Sequence, residues 1–299
     1  MADSDPTPTA KSSKTIRLIL VIATCFAVGC VLGWALFYSP AERPIEAAPT
    51  LALAPSNCLD SFGGEVRVEG ATFTMGRADA YPDEGPAKQV TVDGFWIDTH
   101  EVTNAQFTAF VDATGYVTAA ERISPFAEVD GAADDLKQPG SVTFSPPTED
   151  HPQAGWWVYT AGANWRQPEG PGSNLDGREH HPVVQVNFED ALAYASWAGR
   201  DLPTEAEYEL AALARAPGGG PVNSRIPADR FGNITANTWQ GFFPNENTAA
   251  DGYTASAPVG CFPANDYGAY DLIGNVWGLS QSLSIRVGNN EIHAIELFV

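Results

Sequence analysis

The alternation of apolar and polar positions predicts a few short strands and three amphipathic helices, separated by long irregular stretches. In EVRVEGATFTMG (residues 65–76) apolar residues recur at every second position and the run closes on glycine, which predicts a strand or a hairpin. KQVTVDGFWIDTHEVT (88–103) alternates likewise about Asp93-Gly94, a turn dipeptide, and predicts a second pair of strands. The period then changes. Thr103 has Gln106 three positions on, a capping box, and Phe107, Phe110 and Val111 share one helical face before Gly115 stops the run. Asn187 with Asp190 opens a second helix through FEDALAYASWAG, which ends at Gly199. Thr204 with Glu207 opens a third through EAEYELAALARA. Residues 118–182 and 217–267 carry few regular signals. Loops of that length in a compact domain are functional, or are organised by something other than secondary structure. The expected class is α+β with low regular content.

One apolar run fits none of this. From Ile16 to Tyr38 the chain carries a single charge, Arg17, at its edge. At about 1.5 Å per residue this stretch crosses the ~30 Å hydrocarbon layer as one transmembrane helix. Lys11, Lys14 and Arg17 flank its N-terminal side, and Trp34 and Tyr38 mark the far interface. The positive-inside rule then puts the N-terminus in the cytoplasm and the rest in a periplasm or lumen. A cleaved signal peptide is the rival reading. The length of the run, and the lack of a small-x-small site directly after Tyr38, favour an uncleaved anchor. The expected organisation is a polar tail (1–15), the span (16–38), a Pro/Ala-rich tether (39–60), a folded domain (61–277) and a tail of different texture (278–299).

Composition narrows the chemistry. Gly 28 and Pro 23 in 299 residues favour a loop-rich fold, and 44% hydrophobic residues supply a core for it. A net charge of -21 repels phosphate backbones and argues against nucleic acid as a partner. The five histidines show no HxH or HxxxH spacing for an iron site, and no GxSxG elbow appears. Cys25 and Cys30 lie in the span. Cys58 and Cys261 lie outside it, too far apart for a CxxC motif, and the sequence leaves open whether they pair. Trp156, Trp157 and Trp165 are candidates for lining a peptide groove, or for packing a core. Asn233-Ile234-Thr235 is a glycosylation sequon in a secretory setting.

Seven segments occur in order between about residue 64 and Trp277: GATFTMG, DEGPAKQVTVDGFWIDTHEVTNAQFTAFVDATGY, GANWRQPEGPGS, HPVVQVNFEDALAYASWAGRDLPTEAEYE, NTWQGFFP, DGYTASAPVG and YGAYDLIGNVW. Together they resemble the formylglycine-generating enzyme (sulfatase-modifying factor) family. The resemblance implies a C-type-lectin-like α+β domain with little regular structure, stabilised by calcium. It also implies a copper- and O2-dependent oxidoreductase. Its partner is an unfolded sulfatase segment, Cys-x-Pro-x-Arg, whose cysteine becomes Cα-formylglycine. By the same resemblance, side chains of Asn237 and Asp251 and carbonyls of Thr238 and Tyr253 hold a first Ca2+. Ca2+ takes six to eight oxygens at about 2.3–2.6 Å. A second calcium set falls on Asp271, Gly274, Val276 and Gly278, where the family has Glu in place of Gly278. Trp277 joins the three other tryptophans as a candidate for the substrate groove.

After GNVW the family continues with Glu-Trp-Thr, and later with a Gly-Gly-Ser strand and two closely spaced cysteines that bind Cu(I). Soft thiolates suit that ion. Here no cysteine follows Cys261, and GLSQSLSIRVGNNEIHAIELFV matches none of this. The expectation is a chain without the catalytic pair and with no catalytic residue to assign. It is then a shortened or frame-shifted form of the oxidase, or an inactive lectin-like module that binds sulfatases or other peptides. Absent closing strands also predict an exposed strand edge and low stability.

Overall fold

A computed structural model of the chain describes residues 58–59, 62–76, 86–122, 124, 126–147, 156–214, 227–281, 285–287 and 290–292. The apolar run from Ile16 to Tyr38 lies outside these residues, as does most of the tether. No helix among the described residues is long and apolar enough to cross a membrane.

The two alternating segments form one long hairpin rather than two pairs. β1 (Glu65–Val68) pairs antiparallel with β4 (Phe95–Asp98), and β2 (Ala71–Met75) with β3 (Lys88–Val92). The register runs through without a slip: Val68 faces Phe95, and Ala71 faces Val92. Asp93-Gly94 is therefore not a turn between paired neighbours but half of an interruption opposite Glu69-Gly70. Glycine is required there, because a Cβ on Gly70 would lie 2.7 Å from the Gly94 amide nitrogen and 2.8 Å from the Val92 oxygen. Val68 is fully buried and packs with Leu210 and Ala211.

The three helices start where their capping boxes predict. α1 (Asn104–Thr114) is capped by Thr103 and closed by Gly115 at φ 67°. After a single turn, α2 (Ala119–Arg122), come α3 (Phe188–Trp197), capped by Asn187, and α4 (Glu205–Ala212), capped by Thr204. Phe107, Phe110 and Val111 on α1 form a core cluster with Trp165, joined by Val186 and Tyr194.

The long stretches are ordered by what they satisfy. The first-turn amides Asn104 N and Ala105 N donate to His181 O and Glu179 O, both at 2.9 Å, so the loop supplies acceptors that a helix start lacks. Fully buried Asp190 accepts from Tyr116 Oη, Ala119 N and Asn187 N, each at 3.0 Å, tying α2 to α3. Within 118–182 a hairpin escaped the sequence reading: β5 (Gly140–Phe144) pairs with β6 (Trp157–Ala161). Neither strand has a buried residue, and in β5 the alternation is inverted, with Val142 and Phe144 at the exposed positions, so it does not mark a core face. A last hairpin, β7 (Ile285–Val287) with β8 (Asn290–Ile292), lies in the segment after Trp277.

Candidate functional site

The β5–β6 hairpin carries an open aromatic face. Cross-strand neighbours Phe144 and Trp157 have ring centroids 5.5 Å apart, and Trp157 meets Trp277 at 5.3 Å. Phe144 also reaches Trp239 at 5.7 Å and Phe243 at 6.0 Å, and Phe243 touches Trp156 at 5.6 Å. Phe144, Trp156, Trp157, Phe243 and Trp277 keep between 36% and 47% of their surface open. A contiguous exposed patch of this kind marks an interaction surface. The Trp239 indole N–H is sealed from solvent without an acceptor. An unmet buried donor costs roughly 1–3 kcal/mol.

Three of the four predicted groove tryptophans therefore gather at one surface. Trp165 does not. It is fully buried, stacks edge-on against Phe107 at 5.1 Å, and donates its indole N–H to Glu121 Oε2 at 3.2 Å. It builds the core because its loop folds back under α1. Sequence reading missed Phe144, Trp239 and Phe243. The NTWQGFFP segment carries the last two, but only folding sets them against β5.

Beside this face lies an oxygen-rich loop that brings together the first predicted calcium set. Asp251 is fully buried. Its Oδ1 accepts Tyr253 N at 2.9 Å, and its Oδ2 accepts Thr238 N at 3.3 Å and Gln240 Nε2 at 2.7 Å. The same Gln240 amide bonds Thr238 O. Asn237 spends its Nδ2 on Ala255 O at 2.8 Å and Asn275 Oδ1 at 3.1 Å, which leaves its Oδ1 for another donor or a cation. Thr238 Oγ1 is buried without a partner. No ion pair to Asp251 occurs among the described residues. A buried carboxylate, an amide oxygen and main-chain carbonyls in one loop are the oxygen types that a hard cation takes, and the Gln240 amide occupies Asp251 Oδ2 and Thr238 O in its place.

The second predicted set does not fit a cation in the same way. Of Asp271, Gly274, Val276 and Gly278, only Asp271 has a side-chain oxygen, and it accepts Gly260 N at 2.6 Å. A Cβ on Gly278 would rest 3.4 Å from the Tyr208 ring. Gly274 serves a backbone purpose: at φ 80°, its Cβ would collide with Asn237 O at 2.1 Å. Asp271 instead neighbours Glu101. Burial raises the Asp271 carboxyl from 3.8 to about 6. Burial, reinforced by the charge of Asp271, holds Glu101 well above the ordinary carboxylate range.

Cys58 and Cys261 are joined in a disulfide. Cys261 packs with Ile234, Ala257 and Phe262, and Tyr253 Oη donates to its Sγ at 3.4 Å. Neither sulfur is a thiolate, so the residues described here do not fit Cu(I) coordination.

A family model for the sulfatase-modifying factor enzyme 1-like domain matches residues 50–291. The chain belongs to this family. The match begins at residue 50 and runs past Trp277, where the recognisable motifs stop. The formylglycine-generating enzyme of Thermomonospora curvata is 46% identical over 224 residues, covering 72% of this chain and 69% of that protein. A bovine (Bos taurus) relative named inactive Cα-formylglycine-generating enzyme 2 is 40% identical over 236 residues, covering 76% and 74%. Among solved structures, PvdO from Pseudomonas aeruginosa superposes with a TM-score of 0.43 at 28% identity, over 76% of this chain and 74% of that one. Few helices, short strands and long ordered loops are the fold of this sulfatase-modifying-factor domain.

Proposed function

We propose that this sulfatase-modifying-factor domain grips the unfolded Cys-x-Pro-x-Arg segment of a sulfatase on its aromatic face, and holds the cysteine without oxidising it. The observation that carries this reading is the Cys58–Cys261 disulfide. It takes the described thiols out of copper chemistry. The relatives bearing the formylglycine-generating name support the sulfatase partner, and the relative named inactive shows that the family includes non-catalytic members. The face suits the motif: Trp157 and Trp277 offer flat surfaces to proline and π faces to arginine. A net charge of -21 draws a cationic peptide in. The disulfide also supports an oxidising compartment, in line with a domain anchored by residues 16–38 and displayed outside the cytoplasm.

The competing reading is a copper-dependent oxidase, and one assay separates the two. The chain is mixed with a labelled Cys-x-Pro-x-Arg peptide, Cu(I) and O2, and both binding and aldehyde are measured. Binding without aldehyde is expected, with Trp157→Ala weakening binding roughly tenfold, the scale of a moderate aromatic anchor. Aldehyde formation would establish the oxidase, and failure to bind would remove the sulfatase partner.

Calcium in the first loop belongs to the same proposal. Asn237, Thr238, Asp251 and Tyr253 would hold it. The ion would brace the loop that carries Trp239 and Phe243, placing structural chemistry next to the groove. At a hundredfold excess over Kd, Ca2+ is expected to stabilise the chain by about 2.7 kcal/mol. Asp251→Asn should cancel that response. A melting temperature indifferent to both calcium and chelator would dismiss the site.

A further inference from the structure

Bounded by β4, α3 and α4 is a cavity of about 610 Å3. Ile97, Val183, Val186, Leu202, Val276 and Leu279 make much of its wall apolar. Glu101 and Asp271 border it, but Glu101 Oε2 is sealed from solvent. Arg200, on the same wall, pairs with Glu65 at 2.5 Å and Asp98 at 3.3 Å. At ~30 Å3 per molecule the space would hold about 20 waters against apolar side chains, whereas protein interiors keep few voids larger than one water. The chain's last described segments start from this wall. Gly278, Leu279 and Gln281 line the cavity, and Gln281 N donates to Pro203 O at 2.8 Å. β7 and β8 then fold back on each other, with Ile285 opposite Ile292. Residue 285 is four steps of ~3.8 Å from Gln281, and a paired Cα lies about 5 Å away. The chain beyond Ile292 therefore starts within about 20 Å of Gln281. Residues 293–299 read HAIELFV, and seven residues span up to about 24 Å when extended.

We propose that residues 293–299 fold back over this cavity as its cover, with Ile295 and Leu297 seated against the apolar wall. The segment has the reach, and it has the pattern. In an extended chain Ile295, Leu297 and Val299 fall on one side, and Glu296, the segment's one acid, falls on the other. The apolar side can enter the cavity while the carboxylate stays in water. Burying both the wall and these side chains removes apolar surface from water twice over. A second copy of the chain is the poorer occupant, because two molecules of net charge -21 repel each other. The family match ends at residue 291, so the family alone does not supply this cover. The seated segment also braces the wall around Val276 and Leu279. Trp277, between them, borders both the cavity and the aromatic face, so the cover steadies one side of that face.

The test uses the 299-residue chain in detergent. The photoreactive residue benzoylphenylalanine replaces Ile295 or, separately, Leu297, and the cross-links formed on irradiation are mapped by mass spectrometry. They are expected within one molecule, on β4, on α3 or on residues 276–281. Cross-links to other parts of the chain overturn the proposal. So do cross-links between two molecules, which would assign the cavity to a second copy. No cross-link from either position also overturns it, and would leave the cavity to a lipid or detergent chain. A second arm removes residues 293–299 and follows amide hydrogen exchange. Amides of β4 and α3 are expected to exchange roughly tenfold faster or more, with those of β5 and β6 unchanged. Unaltered exchange in β4 and α3, or an equal rise in β5 and β6, overturns the proposal. Should the shortened chain fail to fold, Leu297→Asp in the full chain takes its place with the same expectation.

Discussion

Replacing both Cys58 and Cys261 by serine is expected to cost about 5 kcal/mol of folding stability. The bond closes a loop of sequence separation 203, and the chain-entropy account assigns roughly that much to so long a loop. A domain with ordinary stability of about 5–15 kcal/mol would be left at the edge of folding. The bond also anchors residue 58 to a cluster of Ile234, Ala257 and Phe262, beside the loop carrying Asp251 and Tyr253. Urea unfolding of the double variant and the parent gives the number directly. A difference under about 1 kcal/mol would mean that the native packing, rather than the cross-link, holds that end of the chain.

Asp271→Asn is expected to stabilise the protein at neutral pH. The folded carboxyl titrates near 6 against 3.8 for an ordinary aspartate. Between those values the folded chain keeps a proton that the unfolded chain has released. Stability therefore falls as pH rises from about 4 to about 6, and below that window this group has no effect. Two units at ~1.4 kcal/mol each give about 3 kcal/mol at pH 7. Asparagine keeps an oxygen to accept Gly260 N, and it tolerates the left-handed backbone at residue 271, where φ is 53°. Thermal melts of the two proteins at pH 3.5 and pH 7 should coincide at the first and separate at the second. A variant less stable at both values would show that the charge of Asp271 is already compensated.

The helices were legible because their signals are local. Thr103 with Gln106, Asn187 with Asp190 and Thr204 with Glu207 each satisfy orphan amides within a single turn, so three-residue spacing suffices to locate the starts. The four residues named for a first calcium site, Asn237, Thr238, Asp251 and Tyr253, came from the family resemblance and not from a local signal, and the fold brings them into one loop. The pairing of the alternating segments was not legible. Both β3 and β4 read as strands, but alternation states which face is buried and not which neighbour is bonded.

The sequence by itself determined the family, the α+β class, the helix starts and the scarcity of thiols, because motif order, capping and composition are properties of the chain alone. Only the tertiary structure decided that Cys58 and Cys261 are one bond, and that Trp165 is core while Trp157 and Trp277 meet at the surface. It alone set Glu101 and Asp271 side by side in a cavity. These facts join residues far apart in sequence, Glu101 with Asp271 and Cys58 with Cys261. Burial and charge at such sites come from neighbours that no local pattern names.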